Sequence, residues 1–458
     1  MLDLIPLAHA DKAFFWGAAV TEDSELATED PLALDYVAQQ IGMLLLPPFT
    51  TRSTRAQGFA MVAYGLCLAE RAIDAYDLPD TDETRRELFE QWERFWALAT
   101  LELRGGRLPR GDWDAMRGVR GAQRAWFAGD RPLRLDFQMI SRQQELGSLG
   151  AYLVPLRRAG LVLDGTVRPG PAALDIIDAF WDERNEGAHI SRFENYALAS
   201  LEPGRKTLER KHGGLTLATV GERSRLSSLS NRGRRPQQDR LYEALFTNVR
   251  DNTTLAMAGL IQHAATLGVS GSRELLNGAI SGALGPIDSE LRELLMTARA
   301  FGDTMTALLG AFDRAYVALD HAGWIERRTV VAGMAFSHDE LAVLRDAAAA
   351  LLAAPRVHDI RRLPMHGAAL LSLVEDLQAA GPAEALDRLL TYHGSVQRDR
   401  RRGESWMRAD GDHLVLGVTT YSARPSSPRY PTFKFDVVQS LLIDTGRLPM
   451  QPGRPEAA

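Results

Sequence analysis

Cysteine is almost absent. The single Cys67 excludes an intrachain disulfide and any zinc site built from several cysteines. A reducing, cytoplasmic setting fits that composition. Lysine is scarce as well: Lys12, Lys206, Lys211 and Lys434 are the only four. Arginine therefore carries nearly all the positive charge, and arginine-containing motifs arise often by chance. No run of about 18 apolar residues occurs, so no membrane-spanning helix is expected. The opening MLDLIPLAHADKAFFWGAAV lacks the basic start and long apolar centre of a signal peptide. There is no G-x-x-x-x-G-K-[ST] loop and no G-x-G-x-x-G after a strand, which removes the common nucleotide folds. H-E-x-x-H and G-x-S-x-G are missing too. The histidines do not cluster at ligand spacing. The one acid-x-lysine triplet, Glu209-Arg210-Lys211, has no strand-borne aspartate ahead of it. Neither a metal nor a cofactor is expected.

What is present is mostly helical pattern. The 458 residues are 45% hydrophobic, enough for two to four domains with real cores. In DPLALDYVAQQIGMLLL, apolar residues recur at Leu34, Val37, Ile41 and Leu44–Leu45, the spacing of one helical face. Pro47 and Pro48 stop that helix. TTRSTRAQGFAMVAYGLCLAERAI starts the next, with Thr50, Thr51 or Ser53 as cap. DETRRELFEQWERFWALATLEL makes a third, with Leu88, Trp92, Phe95 and Trp96 turned to a core. Residues 104–134 read as loops around one short helix.

The stretch from Tyr152 to Phe180, YLVPLRRAGLVLDGTVRPGPAALDIIDAF, breaks the pattern. A helix capped by Ser148 would carry Leu149, Leu153 and Leu156, end at Gly160, and contain one awkward residue, Pro155. Asp164-Gly165 suits a tight hairpin, because both positions tolerate positive φ. Pro171 then opens another helix. Helix, hairpin, helix is the C-terminal half of a winged helix, with MISRQQELG upstream as the preceding helix.

Residues 204–240 hold ten Arg or Lys against three acids, a local net of +7, and read as a basic, partly mobile connection. Helices return to about residue 354. The last hundred residues look mixed: HLVLGVTTY as a strand, and FKFDVVQSLLIDTG as a strand running into a helix. The expected division is a helical domain at 1–135, a winged-helix-like domain at 136–203, a basic linker at 204–235, a helical bundle at 236–354 and an α+β domain at 355–458. The fold class is mainly α, multi-domain, with a central winged helix and a small C-terminal α+β region.

In a DNA-binding winged helix, the helix before the hairpin enters the major groove and the hairpin touches backbone. The polar candidates for nucleic-acid contact are Arg142, Gln143, Gln144, Ser148, Tyr152, Arg157 and Arg158, with Arg168 on the wing. Arg and Gln are the side chains that make bidentate contacts to guanine and adenine. Arg232, Arg234 and Arg235 in the basic connection suit phosphates. So do Arg400, Arg401 and Arg402, which stand near Trp406. The net charge of −6 argues against a wholly basic coat but leaves local patches open.

One motif points to chemistry instead. RNEGAH places Arg184 and His189 at the gap found in HEPN ribonucleases, where a base and a cation attack an RNA phosphodiester through its 2′-hydroxyl. Arg361/His366 and Arg388/His393 repeat the gap, without the asparagine in second place.

Taken together, DPLALDYVAQQIGMLLLPPFTTRSTRA, LRRAGLVLDGTVRPGPAALDIIDAF and YHGSVQRDRRRGESW followed by YPTFKFDVVQSLLIDTG resemble, in that order, large helical proteins of bacterial anti-phage defence gene clusters. The resemblance implies a non-catalytic subunit working beside an ATPase, nuclease or methyltransferase, and it carries no catalytic residues. The expected function is a nucleic-acid-binding accessory or sensor subunit, with DNA, duplex or single-stranded, as partner and no membrane. A HEPN-like ribonuclease toxin and a winged-helix transcription regulator stand as alternatives.

Overall fold

The computed structural model describes residues 30–108, 117–128, 132–180, 192–224, 235–249, 252–400 and 403–449. The fold is mainly α, with a small α+β region near the C-terminus. The chain packs as two compact units, each built from two separated segments. One comprises residues 1–45 and 269–433, the other 46–268 and 434–458. The five consecutive domains expected from composition do not follow this division, because composition marks loops and not the partners that distant helices find.

In the first unit a single helix, Ser289–His321, runs 33 residues and forms the spine. The Asp288 carboxylate accepts the Leu291 N–H at 2.7 Å and so caps it. Helices Leu34–Leu45, Ser272–Ser281, Arg328–Ala335 and His338–Leu352 pack on that spine. His338–Leu352 begins with a capping box between Ser337 and Glu340. A three-stranded antiparallel sheet joins them, in the order Ile325–Arg327, His413–Leu416, Met407–Asp410. The HLVL strand expected from sequence is the central one.

Residues 30–32 are held by one face of the helix Pro382–Asp399. The Tyr392 hydroxyl donates to the Leu32 carbonyl at 3.1 Å. The Gln397 amide reaches the Pro31 carbonyl, and Arg400 grips both the carbonyl and the carboxylate of Asp30 at 2.8 Å. His393 lies fully buried at the centre. Its Nδ1 is 2.7 Å from the Pro31 carbonyl, and its Nε2 accepts the Trp406 N–H at 3.2 Å. Those partners fix the neutral tautomer, with the proton on Nδ1.

In the second unit, Ala56–Tyr76 and Asp82–Leu103 form the central pair. Trp92 is fully buried between them and donates its indole N–H to the Met61 carbonyl at 3.1 Å. Helices Ser148–Arg158 and Ala172–Phe180 pack on Ala56–Tyr76. Pro155 sits inside the first of these and is buried. Between them, the Leu163 N–H donates to the Arg168 carbonyl at 2.9 Å, Val162 bridges Pro169, and Gly165 turns the chain at φ 74°. The expected hairpin is thus present as one bridge and a tight turn. The cap of the Ser148 helix comes from elsewhere: Glu93, fully buried, accepts the Ser148 N–H at 2.7 Å and the Gln143 amide at 2.8 Å.

Two expectations fail here. The basic connection is folded over its described part. Thr207–Leu208 pairs with Leu133–Arg134, Lys211–His212 pairs with Leu215–Thr216, and Leu217–Ser224 is a helix packed on Asp82–Leu103. Leu217 and Val220 are fully buried. Gly221 lets the backbones touch, since a Cβ there would stand 2.2 Å from the Ala99 carbonyl oxygen. Likewise FKFDVVQSLLIDTG contains no strand. Phe433 and Lys434 turn the chain at positive φ, and Phe435–Asp444 is helical from its first residue.

Candidate nucleic-acid interface

The loop from Leu46 to Arg55 links the Pro47-Pro48 stop to the helix Ala56–Tyr76. Thr50 and Ser53 close it locally. The Thr50 N–H donates to Ser53 Oγ, and Ser53 Oγ donates to the Thr50 carbonyl, both at 3.0 Å. Phe49 anchors it among Phe59 and Phe246. The Pro47 and Phe49 carbonyls take donors from outside the loop. The Lys434 ammonium donates to the Phe49 carbonyl at 2.8 Å, and the Arg158 guanidinium donates to the Pro47 carbonyl.

The helix start is capped from a distance. The Asp444 carboxylate, at the end of Phe435–Asp444, accepts the Ala56 N–H and the Arg55 Nε–H, each at 2.9 Å. Arg117 lies close enough to Arg52 to feel its charge. Burial lowers its affinity for its proton, and the Arg52 charge lowers it further. Lys434 is 3% exposed, and burial, with the Arg158 charge adding to it, pulls its ammonium down to about 7. Five cations therefore gather on or against one loop: Arg52, Arg55, Arg117, Arg158 and Lys434. Asp444 is the carboxylate that answers Arg55. Among the described residues Arg52, Arg117 and Arg158 form no ion pair.

The candidates read from sequence are dispersed. Arg158 stands in this cluster. Arg235 reaches the Gly446 carbonyl at 3.4 Å, two residues past Asp444, and pairs with Asp239 at 3.2 Å. Arg157 is turned to the hairpin, where its guanidinium donates to the Thr166 carbonyl at 3.0 Å. Arg168 is paired with Asp80, which also meets the buried Arg85. Those two arginines, Arg168 first, hold the Asp80 carboxyl below the usual range. Arg142 is exposed and pairs with Glu145 at 3.1 Å. Gln144 is half-buried beside it.

Two candidates belong to the interior. Gln143 is buried, and its amide is spent on Glu93 and the Glu90 carbonyl. Tyr152 is buried edge-on against Phe59, its ring centroid 5.0 Å away, and burial raises its phenol pKa. Neither can read a base from there. Arg400 belongs to the first unit, tied to Asp30. Arg232, Arg234, Arg401, Arg402, Arg184 and His189 lie outside the described residues.

Sequence reading missed Arg52, Arg55, Arg117 and Lys434. Arg52 stands in the cap segment TTRS, where the hydroxyls are what signals a helix start. Nothing in local spacing links residues 52, 117 and 434.

Among the described residues, no three His, Cys, Asp or Glu side chains come together as metal ligands. No helix there is long and apolar enough to cross a membrane. No family of known proteins, no curated protein and no solved structure matches this chain.

Proposed function

We propose that this chain is a non-catalytic, nucleic-acid-binding accessory or sensor subunit of a bacterial anti-phage defence complex, and that the loop from Leu46 to Arg55 is its phosphate-contact face. One observation carries the nucleic-acid half: Arg52, Arg117 and Arg158 gather at that loop, and among the described residues no carboxylate pairs with them. Guanidinium groups left without acids are the features that phosphate backbones neutralise. The defence setting rests on the order of the three sequence segments that resemble proteins of such clusters.

In a winged-helix reading, Ser148–Arg158 is the recognition helix and residues 161–170 are the wing. Gln143 and Tyr152, which would have read base edges, are committed to the core. The cations that remain suit backbone contact, which carries no sequence information. That favours a sequence-independent sensor over a transcription regulator. The partners in this reading are DNA and an ATPase, nuclease or methyltransferase subunit.

Salt dependence tests the face. With about three phosphate contacts, affinity for DNA falls about 40-fold as salt rises from about 50 to 200 mM. Changing Arg52, Arg117 or Arg158 to Ala lowers the slope of log K against log salt by about one each. Arg158→Ala also loses the bond to the Pro47 carbonyl, about 1 kcal/mol, so circular dichroism accompanies it. Absence of binding to duplex or single strand at about 50 mM salt defeats the proposal.

The isolated chain should cleave neither RNA nor DNA, with or without divalent metal. His189→Ala should leave any protective phenotype unchanged. Metal-independent RNA cleavage that disappears in His189→Ala moves the protein to the ribonuclease class.

A further inference from the structure

The first unit carries a groove of about 550 Å³ between the helices Ser289–His321 and His338–Leu352. Small side chains make it. Ala307 and Gly310 on one helix face Ala347 and Ala350 on the other, and leave a channel open above the contact where Thr304 Oγ1 donates to the Ala347 carbonyl at 3.0 Å. Pro428 and Tyr430 also line it. The hydroxyl end of the Tyr430 ring packs against Gly302, where a Cβ would come within 2.4 Å of it, and the hydroxyl donates to the Arg299 carbonyl at 3.3 Å.

The charges in the groove are unbalanced. Asp303 is answered by Arg273 at 3.0 Å, and Glu340 by Arg314 at 3.0 Å. Asp339 and Asp346, which also line it, have no cation partner among the described residues. Between them stands Val343, 63% exposed although apolar. Residues 339, 343 and 346 follow one face of a helix at i, i+4 and i+7. The helical rise sets the two carboxylates about 10 Å apart along the groove. Among the described residues no three acidic side chains converge here in the way a metal ion needs. The alternation of acid, apolar surface and acid over an alanine floor asks for a ligand with positive ends and an aliphatic middle.

We propose that this groove binds a linear aliphatic polyamine. One terminal ammonium sits at Asp339 and the other at Asp346. The methylene segments lie over Val343, Ala347 and Ala350, and a secondary ammonium between them faces the open side of the groove. This site lies apart from the cationic loop and does not depend on the nucleic-acid reading.

The test is calorimetric titration of the full chain, freed of nucleic acid, with spermidine. Saturable binding with one site is expected. Asp339→Asn and Asp346→Asn should each weaken it about three- to fivefold, the range of an exposed ion pair. Ala350→Leu, at an exposed helical position that tolerates leucine, should fill the floor and abolish binding without changing the circular dichroism spectrum. Putrescine, too short to span both carboxylates, should bind more weakly and respond to only one of the two Asn variants. Absence of saturation overturns the proposal. So does equal competition by Mg2+ at matched charge, which marks diffuse screening. Binding of a lysine-rich peptide where spermidine fails also overturns it and assigns the groove to a protein partner.

Discussion

Lys434→Met should make the protein more stable at pH 7 and remove a rise in stability between pH 7 and about 10. Burial holds the ammonium at about 7 in the folded chain, while an unfolded lysine titrates near 10.4. Between those values the unfolded state binds more protons, so stability climbs with pH through that window and is flat below it. Every pH unit separating the folded from the unfolded titration corresponds to about 1.4 kcal/mol. The buried charge therefore costs a few kcal/mol at neutral pH. Methionine keeps the volume and discards the charge. It also leaves the Phe49 carbonyl without its donor, a loss of about 1 kcal/mol. A net gain of about 1–3 kcal/mol at pH 7 is expected, shrinking to nothing or reversing near pH 10. Denaturant midpoints for the two proteins at pH 7 and pH 9.5 decide it. Parallel pH profiles would show that the lysine is solvated and not buried against the loop.

His393→Ala should produce the largest loss, about 3–5 kcal/mol. The ring packs at centroid distances of 4.9 Å from both Phe312 and Trp406. Removing it opens a cavity. It also strands the buried Trp406 N–H and takes one of two donors from the Pro31 carbonyl, which the Gln397 amide still reaches. A pH signature accompanies the loss. Burial pulls the His393 imidazole down to about 4. Between about 4 and 6.5 the unfolded chain binds more protons, so this residue's contribution fades as pH falls through that interval. The alanine variant should lack that part of the acid sensitivity. A drop below about 1 kcal/mol in denaturant midpoints would show that residues 30–32 are not held by this helix.

Much of the helical framework is legible in local pattern. The helix from Leu34, the pair around Trp92 and the Asp164-Gly165 turn all follow from periodicity and turn chemistry. What local pattern cannot show is who satisfies whom. Ser148 looks like a cap, yet its own N–H is bound by Glu93, 55 residues earlier. Ala56 is capped by a carboxylate from the last helix. Composition misleads where basic and glycine residues outnumber the few that matter. Leu217, Val220 and Gly221 are enough to seat a helix on Asp82–Leu103, though the surrounding residues read as linker. The aromatic and β-branched start of FKFDVV reads as strand, but two positive-φ residues place the helix start at Phe435. The cationic loop is visible in the sequence through one member alone, Arg158. Its other members come from three distant segments that only the folded chain brings together.

The interleaving of the two units bears on how the chain is made. Neither unit occupies a contiguous stretch, so no single cut separates one unit from the other. On a ribosome the helix starting at Ala56 emerges 388 residues before Asp444, the group that caps it. Pro31 emerges 362 residues before His393. At roughly 5–20 residues per second, these waits last about 20 to 80 seconds. Until the helix Ser289–His321 emerges, the apolar face of Leu34–Leu45 must remain on a growing chain without its final partner. Such a chain has a long window in which chaperones can hold it, and truncated products from either end should be insoluble and not partly functional.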